Sequence, residues 1–567
     1  MTDVQIEYVK GKTGIETMKV NGYFLHSKYD PIREANEFAK KNYRPGHVHI
    51  LFGYGKGYFV EALLNEFKSN ENLIVIEPIL TTSGLDKEGI VFIQSNSIDE
   101  IAEEVNKYSQ MFVLNNVHII CSPNYDKIFQ NLYKELLIKL KERVSINRIN
   151  INSINKMAHE WQRNYLYNIK NAIHDHSIHV LHKYTNSPVV IASGGPSLTK
   201  QIPLLKKIRD KVLLIVSGST VNTLLKENIE PDYVVSIDSQ EVNYNHFKDL
   251  KLKHAKLIYS MFNHYKIRES FYNDAFYFVQ KNEKALASHL NNIVHTKVEG
   301  IYGGESVANY AFTIANYISS GPIALIGQDL AYTDNKSHAE NNKHFKMITE
   351  EDIIKRGMFY TEGYYGDKVL TDSAFLAMKE SFERLIKTIP VNENIFNCTE
   401  GGAKIHHFKQ IPFKQFIETF VTDRISTESY KKEIIEVNNN EIIQLFNNEL
   451  EILKKIKRLV VENLSLISSN KFNTHFSENI LKKMDRNDKE IEEKRNKTSL
   501  QVIMGPLNIA ILKNYTPKNN ETPQEAYSRV VEQNRALYNG YLEAIEITQQ
   551  YIENLCEHLK IEGERNR

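Results

Sequence analysis

Ten residues, 189–198, constrain this chain more than any other stretch. The run Val189-Val-Ile-Ala-Ser-Gly-Gly-Pro-Ser-Leu198 is apolar for four residues, breaks at paired glycines, and carries Pro196 where a first helical turn begins. That order predicts a strand, a tight turn and a helix. The first N–H groups of a helix have no partner within it, and the positive end of its dipole lies there. With the hydroxyls of Ser193 and Ser197, those donors make a pocket suited to a single phosphate. The competing reading is a turn whose small residues serve packing alone.

Further apolar runs at 212–216, 233–237, 257–259, 276–278 and 323–326 alternate with helical patterns. Near-continuous apolar strands in repeated βα units predict a parallel sheet covered on both faces. Ligands of such sheets bind beyond the carboxyl ends of the strands. Here those ends are 193–197, 217–220, 238–240 and 327–330, and they are expected to converge on one crevice.

A chain of 567 residues exceeds one core, so several domains are expected. Four regions are read. Residues 1–123 are a Rossmann-like α/β domain, in which Gly53, Gly55 and Gly57 followed by Glu77 match the layout of an adenosine-binding half. Residues 124–183 are a helical connector, read as a hairpin with a solvated face. Residues 184–420 hold the central α/β domain. Residues 421–567, where Ile434, Ile435, Ile442, Ile443, Leu445 and Leu450 keep helical spacing, are a helical domain whose charged run 482–497 sits between helices as a solvated face or loop.

Charge and composition narrow the function classes. A net charge of +1 gives no basic excess for a nucleic-acid partner. Three cysteines, Cys121, Cys398 and Cys556, stand in no metal-ligand spacing and fit a reducing compartment, so a cytoplasmic location is expected. No apolar stretch approaches the roughly 20 residues of a membrane span. The central turn lacks the G-K-[ST] ending of a P-loop, no G-x-S-x-G elbow occurs, and no D-x-D pair is present for a metal-bridged diphosphate. No metal site and no cofactor are expected. Helix-end donors and hydroxyls suffice for a nucleoside monophosphate. Two more glycine pairs, in 299–306 and 397–405, and a polar run from Gly327 to His338 complete the candidates.

These motifs resemble the motility-associated factor (Maf) family of flagellin glycosyltransferases. The resemblance rests on Ala192-Ser-Gly-Gly-Pro-Ser-Leu198, Pro231-Asp-Tyr-Val-Val-Ser-Ile-Asp238, Gly303-Gly-Glu-Ser306, Gly327-Gln-Asp-Leu-Ala-Tyr332 with Ser337-His338, and Thr399-Glu-Gly-Gly-Ala403. His26-Ser-Lys-Tyr-Asp-Pro31 and Phe52-Gly-Tyr-Gly-Lys-Gly57 extend it, so it covers the chain to about residue 420. It implies a cytoplasmic enzyme that moves a nonulosonic acid, of legionaminic or pseudaminic type, from a CMP-activated donor to Ser or Thr hydroxyls of flagellin. The implied central domain is similar to bacterial sialyltransferases that work without a metal.

The resemblance also implies site roles. Ser193, Gly194, Gly195 and Ser197 would face the phosphate. Ser217 to Thr220 with Asn222, and Asp238, Ser239 and Gln240, would hold the nucleoside. Gly303, Gly304, Glu305 and Ser306 would close on the donor, with Asp329, Tyr332 and His338 near the reacting carbon. Transfer with inversion needs a base on the acceptor hydroxyl. His338 is the first candidate, Asp329 the second and Glu305 the third; the hydroxyls of Tyr302 and Tyr332 could serve the phosphate side. Flagellin and a CMP-nonulosonic acid are the expected partners, with no nucleic acid and no membrane, and a homo-oligomer is compatible with the sequence. Two rivals stand beside this reading: an archaeal pterin pyrophosphokinase, which the central domain also resembles, and a non-enzymatic flagellin-binding protein.

Overall fold

The computed structural model describes residues 4–67, 72–79, 90–108, 116–250, 252–389, 394–424, 430, 438–517 and 521–565. Ile434 and Ile435 lie outside them. The chain divides into two units: Met1–Asn155 with Leu464–Lys483 and Pro506–Asn539, and Lys156–Asn463 with Met484–Gly505 and Gly540–Arg567.

The first unit carries a four-stranded parallel sheet in the order Ile90–Gln94, Leu73–Glu77, His47–Phe52, Asn116–Cys121. Alternate residues feed two cores, as a pleated strand requires. Ile50, Phe52, Ile74 and Ile76 pack on one face, and Leu51, Leu73 and Val75 on the other. The glycine turn follows His47–Phe52 as predicted, with φ of 104°, 58° and 84° at Gly53, Gly55 and Gly57, a region that only glycine enters without strain.

The carboxylate an adenosine ribose would need is occupied from within. Glu77, fully buried, accepts the N–H groups of Tyr54 (2.8 Å), Gly55 (3.0 Å) and Ile79 (2.7 Å) and the hydroxyl of Tyr125 (2.7 Å). A Cβ on Gly53 would stand 2.4 Å from the Tyr125 ring, and one on Gly55 would stand 2.6 Å from Nε2 of His26. Burial drives the His26 pKa down to about 3, so the ring is neutral and its Nε2 accepts the Lys56 N–H at 2.9 Å. Protein side chains thus fill the space beside each glycine.

The second unit is built on a large parallel sheet. From one edge its strands run Gly300–Ile301, Ala275–Gln280, Lys256–Ser260, Tyr233–Ser236, Leu213–Ser217, Val189–Ala192, Ile323–Ile326, Ile395–Asn397 and Lys409–Gln410. After a short strand, His176–Ser177, that pairs with Ala275–Gln280, the chain runs through Val189–Ala192, winds outward in one direction, and returns to lay Ile323–Ile326 on the other side of Val189–Ala192. Ile191 therefore pairs with Ile215 on one side and Leu325 on the other. This reversal of strand order opens a crevice at the carboxyl end of Val189–Ala192. Val189–Ala192, Leu213–Ser217 and Ile323–Ile326 are buried at every residue, which is why they read as unbroken apolar runs.

Two helical expectations change. The connector is one helix, Gln130–Ala172, rather than a hairpin, since no glycine or proline interrupts it. Its later turns are core: Gln162, Asn164, Tyr165, Asn168 and Ile169 are fully buried. Asn164 and Asn168, one turn apart, donate side-chain amides to the carbonyls of Ser239 (2.9 Å), Met261 (3.1 Å) and Asn263 (2.7 Å), bracing the loops beyond two sheet strands. Past residue 438 the chain is helical as predicted, in Asn439–Ser469, Glu478–Arg495, Gln501–Asn514 and Pro523–Arg565, and the charged run from 482 begins inside a helix.

Replacing Gly53 by Ala combines a positive φ with a clash against Tyr125, so it should cost roughly 2–4 kcal/mol in chemical denaturation of the full chain. Calorimetric titration of the wild-type protein with S-adenosylmethionine or NAD should show no heat, because the Glu77 carboxylate that would accept the ribose hydroxyls is already taken by four internal donors.

Candidate active site

Strand Val189–Ala192 delivers the predicted turn at the switch point, and helix Leu198–Lys207 follows it. The turn is not the open cradle read from the sequence. The Ser193 N–H donates to the Ile326 carbonyl (3.0 Å) and the Gly195 N–H to the Gly327 carbonyl (2.8 Å). Ser197 donates its N–H to both carboxylate oxygens of Asp329 (3.3 Å each) and its hydroxyl to Oδ2 (2.7 Å). The Ser193 hydroxyl donates to Gln328 at 2.6 Å. An internal carboxylate faces the positive end of the helix where a phosphate was expected. Of the turn's donors, only the Gly194 N–H has no acceptor among the described residues.

Asp329 ties three loops together. Its Oδ1 accepts the Thr333 hydroxyl at 2.7 Å, and its carbonyl accepts the Ala403 N–H at 2.7 Å. The glycines around it are required by proximity: a Cβ on Gly195 would fall 2.1 Å from Oδ2, and one on Gly402 would fall 2.1 Å from the Asp329 carbonyl oxygen. Gln201, from the following helix, adds a second brace, donating to the carbonyls of Cys398 and Thr399 and accepting the Gly327 N–H. Burial outweighs these donors and pushes the Asp329 pKa up to about 6. Fully enclosed, this carboxylate positions the turn and has no face toward an acceptor hydroxyl.

His338 occupies the crevice itself. The Ala339 N–H donates to the Gly194 carbonyl at 3.0 Å, which lays the histidine over the turn. A Cβ at Gly194 would stand 3.7 Å from Cδ2 of His338, 3.1 Å from the Thr220 hydroxyl and 3.3 Å from the Asn342 side-chain nitrogen. Gly194, Thr220, Asn342 and His338 therefore lie together, with the Asn342 amide also donating to the Thr223 hydroxyl at 3.2 Å. Nδ1 of His338 is buried and makes no hydrogen bond among the described residues. Burial, then the neighbouring His344, and also Arg356 hold its pKa below the ordinary 6.5, against a backbone contact at His344 that raises it. The ring is neutral at neutral pH and able to accept a proton.

The other sequence candidates fall into two groups. Ser217 and Thr220 end and begin elements at the next strand end, and the Asn222 side chain donates to the His246 carbonyl at 3.0 Å. Ser239 is held by Asn164 and donates toward Glu160 at 3.3 Å, Gln240 precedes a short helix, and the Asp238 side chain is exposed. The second group has structural explanations. A Cβ on Gly303 would overlap the Tyr310 ring, and one on Gly304 would overlap the Ser381 hydroxyl. Ser306 closes a reciprocal cap with Asn309 at the start of Val307–Ile318. Glu305 is exposed and acts electrostatically on Tyr310, as do Glu283 and Asp238. Tyr332 is buried, and its hydroxyl donates to Asp372 (2.6 Å) while accepting from Arg356 (2.9 Å), so it is not a donor awaiting phosphate.

Sequence reading stopped at His338 and missed Asn342, His344 and Arg356. The first two continue the same polar run, and that continuation was the available signal. Among the described residues no group of three or more His, Cys, Asp or Glu side chains is placed to hold a metal ion.

Residues 163–335 match the family model for 6-hydroxymethylpterin diphosphokinase MptE-like proteins, a span that contains the turn and Asp329 and ends just before His338. The solved structure of the Maf glycosyltransferase from Magnetospirillum magneticum AMB-1 superposes with a TM-score of 0.54 at 15% identity, covering 99% of this chain and 92% of that one. No curated protein sequence matches. The chain thus has an α/β fold shared with a Maf glycosyltransferase over nearly its whole length, as the sequence motifs led one to expect.

Replacing Asp329 by Ala should destabilise the protein by roughly 2–4 kcal/mol, because the Ser197 N–H and two hydroxyls lose their acceptor in a buried site. The folded pKa lies above the unfolded value of 3.8, so the carboxyl group favours the fold most below 3.8 and loses that contribution as pH rises through about 6. The stability gap between wild type and Asp329→Ala in denaturant titrations should accordingly narrow from pH 4 to pH 8.

Proposed function

We propose that this protein is a glycosyltransferase that moves a nonulosonic acid, of legionaminic or pseudaminic type, from a CMP-activated donor to Ser or Thr hydroxyls of flagellin, with inversion and without a metal. The observation that carries the reading is the half-buried, neutral His338 lying against Gly194 at the switch point of the sheet. The whole-chain likeness to a Maf glycosyltransferase supports the class. The three cysteines are unpaired, which suits a cytoplasmic enzyme, and no helix among the described residues is long and apolar enough to cross a membrane.

In this reading the CMP phosphate lies over Gly194, taking its N–H and the side-chain donors of Thr220 and Asn342. The nucleoside extends along the ends of the next strands, toward Ser217, Asn222 and the 238–240 loop. His338 takes the acceptor proton as the hydroxyl oxygen bonds to the anomeric carbon, and the bond to the phosphate breaks with its electron pair on CMP. Gly195 and Ser197 act through Asp329 rather than on the donor.

His338→Ala should lower transfer about 10²- to 10⁴-fold, read by intact mass of flagellin co-expressed with a CMP-sugar pathway, while CMP still raises the melting temperature of the variant. Because the base works as neutral imidazole and its pKa is lowered, kcat/KM should fall on acidification only below pH 6.5. Near-normal transfer by His338→Ala would dismiss the histidine as base. The family-model match favours one second reading, a pterin diphosphokinase. Stabilisation by ATP with magnesium and none by CMP would select it.

A further inference from the structure

A nonulosonic acid differs from ordinary sugars in bearing a carboxylate on its anomeric carbon, one bond from the departing phosphate. A carboxylate drawn into a partly buried recess needs a charged or multiply hydrogen-bonded partner. Arg356, whose charge reaches His338, is both fixed and open. Arg356 ends the helix Glu350–Arg356, which a reciprocal Thr349–Asp352 cap starts and Gly357, at φ 59°, stops. Its Nη1 donates to the Tyr332 hydroxyl at 2.9 Å, and that hydroxyl donates to Asp372 at 2.6 Å. Asp372 in turn caps the helix Ser373–Thr388 through the N–H groups of Ala374 (3.1 Å) and Phe375 (3.0 Å).

The guanidinium is thus anchored along one edge, 3.9 Å from Asp372, while its side chain stays 53% exposed. Its Nε and Nη2 make no hydrogen bond among the described residues. The same loop that carries Tyr332 carries His338, and 335–337 pairs with 346–348 directly before the Arg356 helix. Three nearby lysines are engaged elsewhere, Lys336 with Glu340 (3.2 Å), Lys346 with Asp352 (2.5 Å), and Lys226 with the Asn341 carbonyl (2.8 Å), and Lys343 is exposed with no anchor like that of Arg356 among the described residues.

We propose that Arg356 receives the donor sugar's carboxylate on its open edge, and so selects an acidic sugar and sets the anomeric carbon in front of His338. This rests on the reading of the crevice as a CMP-sugar site. The planar fork matches a carboxylate in two parallel hydrogen bonds, which a lysine cannot reproduce. The Tyr332–Asp372 pair fixes the fork before the ligand arrives, so less rotamer freedom is lost on binding.

The test compares two ligands on the full-length protein by calorimetry: CMP, which lacks the carboxylate, and the unreactive 3-fluoro analogue of CMP-N-acetylneuraminic acid, which has it. Wild type should bind the analogue more tightly than CMP. Arg356→Gln should weaken the analogue about 10- to 100-fold and leave CMP within about twofold, with Arg356→Lys in between. Equal loss for both ligands together with a lowered melting temperature would mark Arg356 as merely structural and overturn the assignment. Unchanged analogue binding in Arg356→Gln, or no preference for the analogue in wild type, would overturn it as well. A wild-type protein that binds no CMP fails differently: it removes the underlying reading of the crevice.

Discussion

A carboxylate buried at a helix N-terminus organises the second unit. Asp329 answers the Ser197 N–H and the Ser197 and Thr333 hydroxyls, and its backbone receives Ala403, so three loops from separate strand ends meet at one residue. A negative group is favoured at that end of a helix, and burial strengthens each of the bonds. The small residues around it follow from that one contact, since neither Gly195 nor Gly402 has room for a Cβ. With Ser197 and Gly195 committed, the ligand face of the turn contracts to Gly194, and His338 sits directly above it.

The two units use the same local device to different ends. In each, a strand at a switch point of a parallel sheet runs into a glycine turn and a helix. In the first unit the ribose position is filled by Glu77, Tyr125 and His26, and the turn serves helix packing. In the second, an equally internal carboxylate fills the helix end, yet beside it the Gly194 N–H stays without an acceptor among the described residues, next to a neutral imidazole. The distinction lies in the second layer of side chains, which the glycine spacing does not encode.

Much of the second unit was legible because burial on both faces turns each strand into an apolar run without alternation, as at 189–192 and 323–326. The long helix 130–172 was misread because its charged residues suggested solvent, while the buried asparagines at 164 and 168, whose amides brace the loops, look polar in a sequence. Asp329 appeared as a candidate base, since its partners Ser197 and Gly195 lie far away along the chain and no local pattern joins them. Ser306 was drawn into the donor site, although Ser306-Val-Ala-Asn309 has the spacing of a helix cap. Arg356 carried no signal, because its place depends on a relay through Tyr332 and Asp372.

The return of strand Ile323–Ile326 to the side of Val189–Ala192 has a consequence for how the crevice comes into being. The Ser197–Asp329 contact spans 132 positions of the chain. Closing a loop of that length costs conformational entropy that no local contact offsets, and sheets assembled from distant segments are slow to form. During synthesis the strands from 189 to 301 can stack in order as they emerge. The turn at 193–197 meanwhile waits with its helix end uncompensated until residue 329 arrives, so the site around Gly194 takes shape only after strand Ile323–Ile326 has joined the sheet.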